Sequence, residues 1–132
     1  LTQGKPSVME KSIFMTKFQG GMDALTLADR FNFYGFAKIS KYFGSENPDS
    51  WDLNMCPVPI KITRPKTNVR ALIMQDYDAI RCLQAWLKQR EKKIGAPIKA
   101  GEPIYINNKG NAVSARWIET SFFNYFPSFL IL

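Results

Sequence analysis

A short segment with the two-residue period of a β-strand, residues 58–74, interrupts a chain whose other apolar residues recur at helical spacing. Apolar and polar side chains alternate over Val58–Thr63, and an extended pattern resumes over Val69–Met74. The residues between these runs, 65–68, have the chemistry of a turn. The segment therefore predicts an antiparallel β-hairpin, and the fold must combine helices with a small sheet.

Two features bear on the extent of that sheet. Pro57 and Pro59 have no amide proton to donate to a β-ladder, so we expect the first strand to lie at a sheet edge or to begin only at Ile60. Further along, residues 103–106 predict a short strand and residues 107–111 a turn. If the short strand pairs with the hairpin, the sheet has three strands instead of two.

Four segments outside the hairpin have apolar residues at helical spacing. They are residues 7–19, capped by Ser7; about 25–43; about 77–94, capped by Asp76 or Asp78; and about 115–126, capped by Ser114. In the second segment Leu27, Phe31, Tyr34 and the stem of Lys38 are predicted to share one face, and Gly35 weakens its continuity. We therefore predict a single domain over residues 1–132, of the α+β class and mainly helical.

Composition excludes several kinds of site. The sequence contains no His, which excludes a Ser-His-Asp triad, a Cys-His pair and a His-based metal site. Cys56 and Cys82 lack the paired spacing of zinc ligands, so we expect two reduced thiols in a cytoplasmic protein without metal or other cofactor. No apolar stretch reaches the roughly 18 residues that a membrane span needs. We therefore expect no membrane association.

The positive charge is concentrated in the second part of the chain. Residues 1–56 carry six basic and six acidic side chains, whereas residues 57–132 carry twelve basic and five acidic ones. The whole formal charge of +7 therefore comes from residues 57–132. Charge concentrated in this way indicates a polyanionic partner, and nucleic acid is the commonest.

The hairpin segment holds four cations and no acidic residue. They are Lys61, Arg64, Lys66 and Arg70. On a two-stranded ribbon these side chains would cluster around the turn, where they could neutralise several phosphates of a nucleic acid. The alternative is a solvated edge hairpin whose lysines prevent aggregation.

A succession of motifs points to a family. In order they are Trp51-Asp-Leu, the hairpin with Lys66-Thr67, an amphipathic helix ending at Arg90, the Pro103-Ile-Tyr-Ile strand, a turn at Gly110, and a helix that follows Ser114. This succession, over residues 51–126, resembles the catalytic domain of the tyrosine recombinases, or phage-type integrases. The resemblance implies an integrase-core-like α+β fold and a DNA-breaking and rejoining reaction through a covalent phosphotyrosine. We interpret the chain as an incomplete domain of this kind.

The resemblance also implies roles for individual residues. Lys66 matches the family's hairpin lysine, the general acid that protonates the departing 5′ oxygen. Lys61, Arg64 and Arg70 are expected to contact DNA phosphates, and Arg30 is a more distant candidate for the same task. The implied partner is duplex DNA, and the reaction needs no metal or nucleotide.

The sequence departs from the family at the other catalytic positions. Residues 18–27 resemble the box Thr-Gly-Leu-Arg-x-x-Glu-Leu, but Asp23 stands at the position of the Arg and Thr26 at that of the Glu. A carboxylate at that place repels a phosphate. No His-x-x-Arg is present, and no tyrosine falls at the position of the nucleophile. We therefore expect that this chain by itself does not cut DNA.

Two alternatives to this interpretation remain open. The chain could be a non-catalytic structural module that self-associates through its apolar C-terminal residues, 126–132. Separately, the aromatic residues near position 33 could stack the bases of a single strand. They are Phe31, Phe33, Tyr34 and Phe36. Because no cations are interleaved with them, we predict that they belong to the core.

Overall fold

A computed structural model describes residues 4–126 as four main helices packed with a two-stranded antiparallel sheet. Helix α1 is Val8–Gly20, and helix α2 runs through Ala24–Thr26, a π-helical turn at Leu27–Phe31, and Asn32–Phe43. Short 3-10 turns at Pro48–Ser50 and Leu53–Met55 lead to strands β1 (Val58–Thr63) and β2 (Arg70–Gln75). Helices α3 (Tyr77–Ile94) and α4 (Ala115–Tyr125) follow. The predicted α+β, mainly helical class is confirmed.

The helix starts lie where capping residues predict them. Ser7 Oγ accepts a hydrogen bond from Glu10 N at 3.1 Å, and Glu10 Oε1 accepts one from Ser7 N at 3.0 Å, which together form a capping box at α1. Asp76 and Ser114 accept backbone N–H bonds in the same way at the starts of α3 and α4. Gly95, with φ of 88°, ends α3 in the left-handed conformation that glycine adopts most easily.

Helix α2 is continuous through Gly35, and its buried face differs from the predicted one. The ring of Phe31 lies so close that a Cβ at Gly35 would come within 2.9 Å of it. The buried stripe is formed by Leu27, Phe31, Gly35, Phe36 and Ile39. Tyr34 and Lys38 point to solvent instead, so the prediction that they share a face with Leu27 and Phe31 is wrong. The prediction that Tyr34 belongs to the core is wrong for the same reason. Gly35 therefore leaves room for the ring of Phe31 and does not interrupt the helix.

The hairpin forms as predicted, with Thr63 opposite Arg70 at its turn end. Its first strand begins at Val58, so of the two alternatives for this strand the edge position is found and the later start at Ile60 is not. Pro59 is tolerated because β1 pairs on one side only, which makes it an edge strand, as the prolines also suggested. The buried face of the hairpin carries Val58, Ile60, Ile62, Ile73 and Gln75.

Residues 103–106 do not add a third strand to the sheet. Their backbone groups bond to side chains instead: Asn32 Oδ1 accepts from Tyr105 N at 2.6 Å, and Asn32 Nδ2 donates to Tyr105 O at 3.2 Å. Trp86 Nε1 and Arg90 Nη2 donate to two further carbonyls of the segment, at 2.7 and 3.0 Å. The segment makes a single isolated β-bridge with the chain that follows it. The sheet therefore has two strands within the described range.

The described residues bear on the predicted thiols and on membrane spans, but not on the C-terminal residues or the cellular location. Cys82 is buried and Cys56 is partly exposed, and both are free thiols. Among residues 4–126, no helix is long and apolar enough to cross a bilayer. Of the apolar residues 126–132, which are predicted to mediate self-association, residues 127–132 lie outside the described residues. The cytoplasmic location stays a prediction.

Candidate functional site

A groove of about 450 Å³, here called the basic groove, lies between helix α2 and the hairpin. Its lining comprises Arg30, Tyr34 and Lys38 of α2, Lys61, Ile62 and Thr63 of β1, and Asn68 of the hairpin turn. Three of these residues are cations and none is acidic. The groove is therefore a concave surface of one charge sign.

Helical spacing brings the α2 residues of the groove onto one side. Arg30, Tyr34 and Lys38 follow one another at intervals of four, which places them on a single stripe of a helix. At 1.5 Å of rise per residue, the stripe extends over about 12 Å. The aromatic ring lies between the two cations along this line.

Arg30 also connects the helix to the hairpin. Its Nε donates a hydrogen bond of 3.3 Å to the backbone carbonyl of Thr63, at the end of β1. This bond satisfies a carbonyl that the unpaired edge of the strand would otherwise leave to solvent. The terminal nitrogens of the guanidinium make no hydrogen bond with any residue in the range 4–126, so they are available to another acceptor.

The strand side of the groove continues onto the exposed face of the hairpin. Alternation places Lys61 and Thr63 on this face, and the register sets Leu72 opposite Lys61 and Arg70 opposite Thr63. Arg70 is thus the diagonal neighbour of Lys61, a spacing of about 7 Å in an antiparallel pair. Arg70 does not line the groove, but its charge extends the same basic surface.

The hairpin turn holds the other two predicted cations. Arg64 N donates to Val69 O, and Asn68 N donates to Arg64 O, both at 2.8 Å. Asn68 has a φ of 54°, in the left-handed region that Asn tolerates better than most residues. Lys66 lies exposed within this turn, and Arg64 is half-buried at its start.

A carboxylate lies near those two cations. Partial burial acts to raise the pKa of Asp23, but the backbone hydrogen bond from Thr26 and the charges of Arg64 and Lys66 outweigh it, so the pKa is below its ordinary value. Asp23 Oδ1 accepts from Thr26 N at 2.7 Å, as the N-cap of α2. The ionised Asp23 therefore offsets part of the positive potential at the hairpin turn.

The cations named in the sequence analysis are not held in ion pairs. Over the described part of the chain, one ion pair within 4 Å is present, between the exposed Arg81 and Asp78. The predicted site residues fall into two groups: Arg30, Lys61 and Arg70 share the groove and the adjoining face, whereas Arg64 and Lys66 lie at the turn near Asp23. The charge of the first group is fully available to an anionic partner.

Sequence reasoning missed five of the seven groove residues, and two of them, Tyr34 and Lys38, lie on α2 beside Arg30. Their spacing of three and seven residues from Phe31 predicts the apolar stripe of α2 instead. The signal that identifies them is their interval of four residues, and of eight, from Arg30, which places all three on one side of the helix.

Metal binding and nucleophilic catalysis by the buried Tyr105 find no support in the described residues. No group of three or more Cys, Asp or Glu side chains between residues 4 and 126 is arranged to hold a metal ion. The buried hydroxyl of Tyr105 is hydrogen-bonded with Ser12 and Thr16 at 2.8 and 3.2 Å. Burial raises the pKa of Tyr105 to about 12 in spite of these bonds. This phenol is a neutral core group and not an activated nucleophile.

No family model, curated protein or solved structure matches the chain.

Proposed function

We propose that the chain binds duplex DNA through its phosphate backbone, using the basic groove and the adjoining exposed face of the hairpin. The observation that carries the proposal is the convergence of Arg30, Lys38 and Lys61 on one groove without an acidic lining residue. These cations come from two elements that are more than twenty residues apart in sequence. A solvated edge hairpin needs cations on its own strands, but it does not need them on the helix facing it.

The geometry of Arg30 favours a phosphate as the bound group. A guanidinium binds phosphate through two parallel N–H bonds, and the bond from Nε to the carbonyl of Thr63 fixes its orientation. The terminal nitrogens are then held in place before the ligand arrives. Such preorganisation reduces the side-chain entropy that binding has to overcome.

The class of protein we propose is the DNA-binding part of a tyrosine recombinase. In this proposal the exposed Lys66 is the general acid beside the scissile phosphate. The 132 residues contain no His and thus no His-x-x-Arg, so these residues alone would bind DNA without cleaving it. The position of Asp23 near Lys66 agrees with this, because a carboxylate weakens phosphate binding at the turn.

Salt dependence of DNA binding tests the proposal. If the cations neutralise phosphates, log affinity falls with log salt by about 0.9 per phosphate contacted. The double variant Lys38→Gln/Lys61→Gln should reduce this slope by about two and weaken binding. Lys92→Gln, which removes an exposed lysine of α3 outside the groove, is the matched control and should change little.

Two outcomes would contradict the proposal. One is equal salt dependence in the double variant and the control. The other is no salt-dependent DNA binding by the unaltered chain, which would favour the structural, self-associating module. Light scattering during size exclusion then separates that alternative, because a clean monomer is incompatible with self-association.

A further inference from the structure

Phosphate binding explains the cations of the basic groove but not the aromatic ring among them. Tyr34 is 53% exposed, although large aromatic side chains usually contribute to a core or an interface. Within residues 4–126 its hydroxyl has no hydrogen-bond partner, and no other ring packs against it. Two of its sequence neighbours, Phe31 and Phe36, are fully buried, so the helix separates its aromatic residues into core and groove.

The ring lies at the centre of the charged stripe. Arg30 precedes Tyr34 by one helical turn and Lys38 follows it by one, while Lys61 lies on the opposite wall of the groove. Alternation of cations with an exposed aromatic ring is the arrangement by which proteins bind single strands.

We propose that the basic groove binds a single-stranded segment of DNA, with one base stacked on the ring of Tyr34 and the flanking phosphates held by Arg30, Lys38 and Lys61. This inference rests on the proposed DNA binding and adds that the preferred ligand has an unpaired base. Neither the side-chain amide of Asn68 nor the hydroxyl of Thr63 is hydrogen-bonded to another described residue. Both can therefore bond to the edge of the stacked base.

Base stacking distinguishes the single strand from the duplex. In a duplex, both faces of a base are covered by its neighbours, so the Tyr34 ring gains a stacking partner only if a base leaves the stack. The cations contact phosphates in either form. Removal of the ring should therefore affect the single strand alone, whereas removal of cations should affect both.

Fluorescence anisotropy with a labelled single strand of about ten nucleotides and a duplex of the same length tests this. Tyr34→Ala should weaken binding of the single strand by about ten-fold and leave duplex binding within about two-fold. Tyr34→Phe, which keeps the ring, should bind both as the unaltered chain does. The salt slope should be unchanged in both variants, because neither removes a charge.

An abasic single strand with the same number of phosphates gives a second measurement that needs no variant. The unaltered chain should bind it about as weakly as Tyr34→Ala binds the normal strand. Equal affinity for abasic and normal strands, or a Tyr34→Ala loss that is as large for the duplex, would overturn base stacking and leave the proposed DNA binding intact. Absence of binding to either DNA by the unaltered chain would overturn both.

Discussion

The Nε of Arg30 donates a hydrogen bond to the backbone carbonyl of Thr63, and this contact joins helix α2 to the hairpin across 33 residues of sequence. The Arg30 side chain therefore has two tasks. Its guanidinium holds helix α2 and the hairpin together, and it contributes positive charge to the basic groove. A substitution that keeps the charge but changes the shape of the head group separates these tasks.

Arg30→Lys makes that separation. Lysine retains the charge but has no Nε donor, so we expect the salt dependence of DNA binding to be unchanged. The free energy of unfolding should fall by about 0.5 to 1 kcal/mol, because one partly buried hydrogen bond is lost. Urea denaturation and anisotropy titrations measure the two effects. Arg30→Gln should lose salt slope as well, and a lysine variant with reduced slope would contradict the division of tasks.

Asp23→Asn should strengthen DNA binding. Asparagine caps a helix as well as aspartate does, so the start of α2 should survive, while a negative charge near Arg64 and Lys66 is removed. We expect an increase in affinity of about two- to five-fold at low salt, which declines as salt is added. Asp49→Asn, an exposed carboxylate that does not line the basic groove, is the control. An affinity that is unchanged or reduced in Asp23→Asn would show that DNA does not approach the turn.

Glu10 should make the stability of the fold sensitive to acid. Partial burial acts to raise the pKa of Glu10. Hydrogen bonds from Ser121, Ser7 and Tyr125 lower it by more than burial raises it, so the folded-state pKa is below its ordinary value. The ionised group therefore stabilises the fold above the unfolded-state pKa of about 4.3, and this contribution disappears as pH falls through the folded-state pKa.

Glu10→Gln tests this dependence. It should lower the free energy of unfolding by about 1 kcal/mol at neutral pH. The difference from the unaltered chain should shrink as pH falls below about 4, because both chains then carry a neutral group. Urea denaturation at several pH values gives the curve, with the exposed Glu119→Gln as control. A difference that stays constant with pH would refute the role of the carboxylate charge.

Gly35→Ala should destabilise the chain although alanine favours helices. Propensity alone predicts a gain of about 1 kcal/mol. The new Cβ would lie 2.9 Å from the buried ring of Phe31, and we expect this overpacking to give a net loss of about 1 to 2 kcal/mol. The double variant with Phe31→Leu should recover part of the loss, since the two side chains interact directly. Additive losses in thermal unfolding would contradict the clash.

Local features of this fold could be predicted from sequence, and features that join distant segments could not. Ser7, Asp76 and Ser114 each act on a backbone amide no more than three residues away, so their positions predict the helix starts. The hairpin follows equally from alternation and turn residues. The segment around Tyr105 has the composition of a strand, but Asn32 occupies its backbone groups from 73 residues away.

The candidate site shows the same limit. The hairpin cations were evident because they are adjacent in sequence and lack acidic neighbours. Tyr34 and Lys38 were not, because assigning the face of a helix depends on knowing that Phe31 packs over Gly35. The groove itself arises from the packing of α2 against β1, which no pattern within either element predicts.

The π turn at Leu27–Phe31 makes α2 tolerant of a change in length at one place. Its hydrogen bond from Asn32 N to Leu27 O spans five residues, one more than in an α-helix. Deletion of one residue there restores regular geometry, whereas a deletion elsewhere in the helix turns all later side chains by about 100°. Evolutionary insertions and deletions should therefore collect at this turn, and Tyr34 and Lys38 would keep their side of the groove in chains one residue shorter.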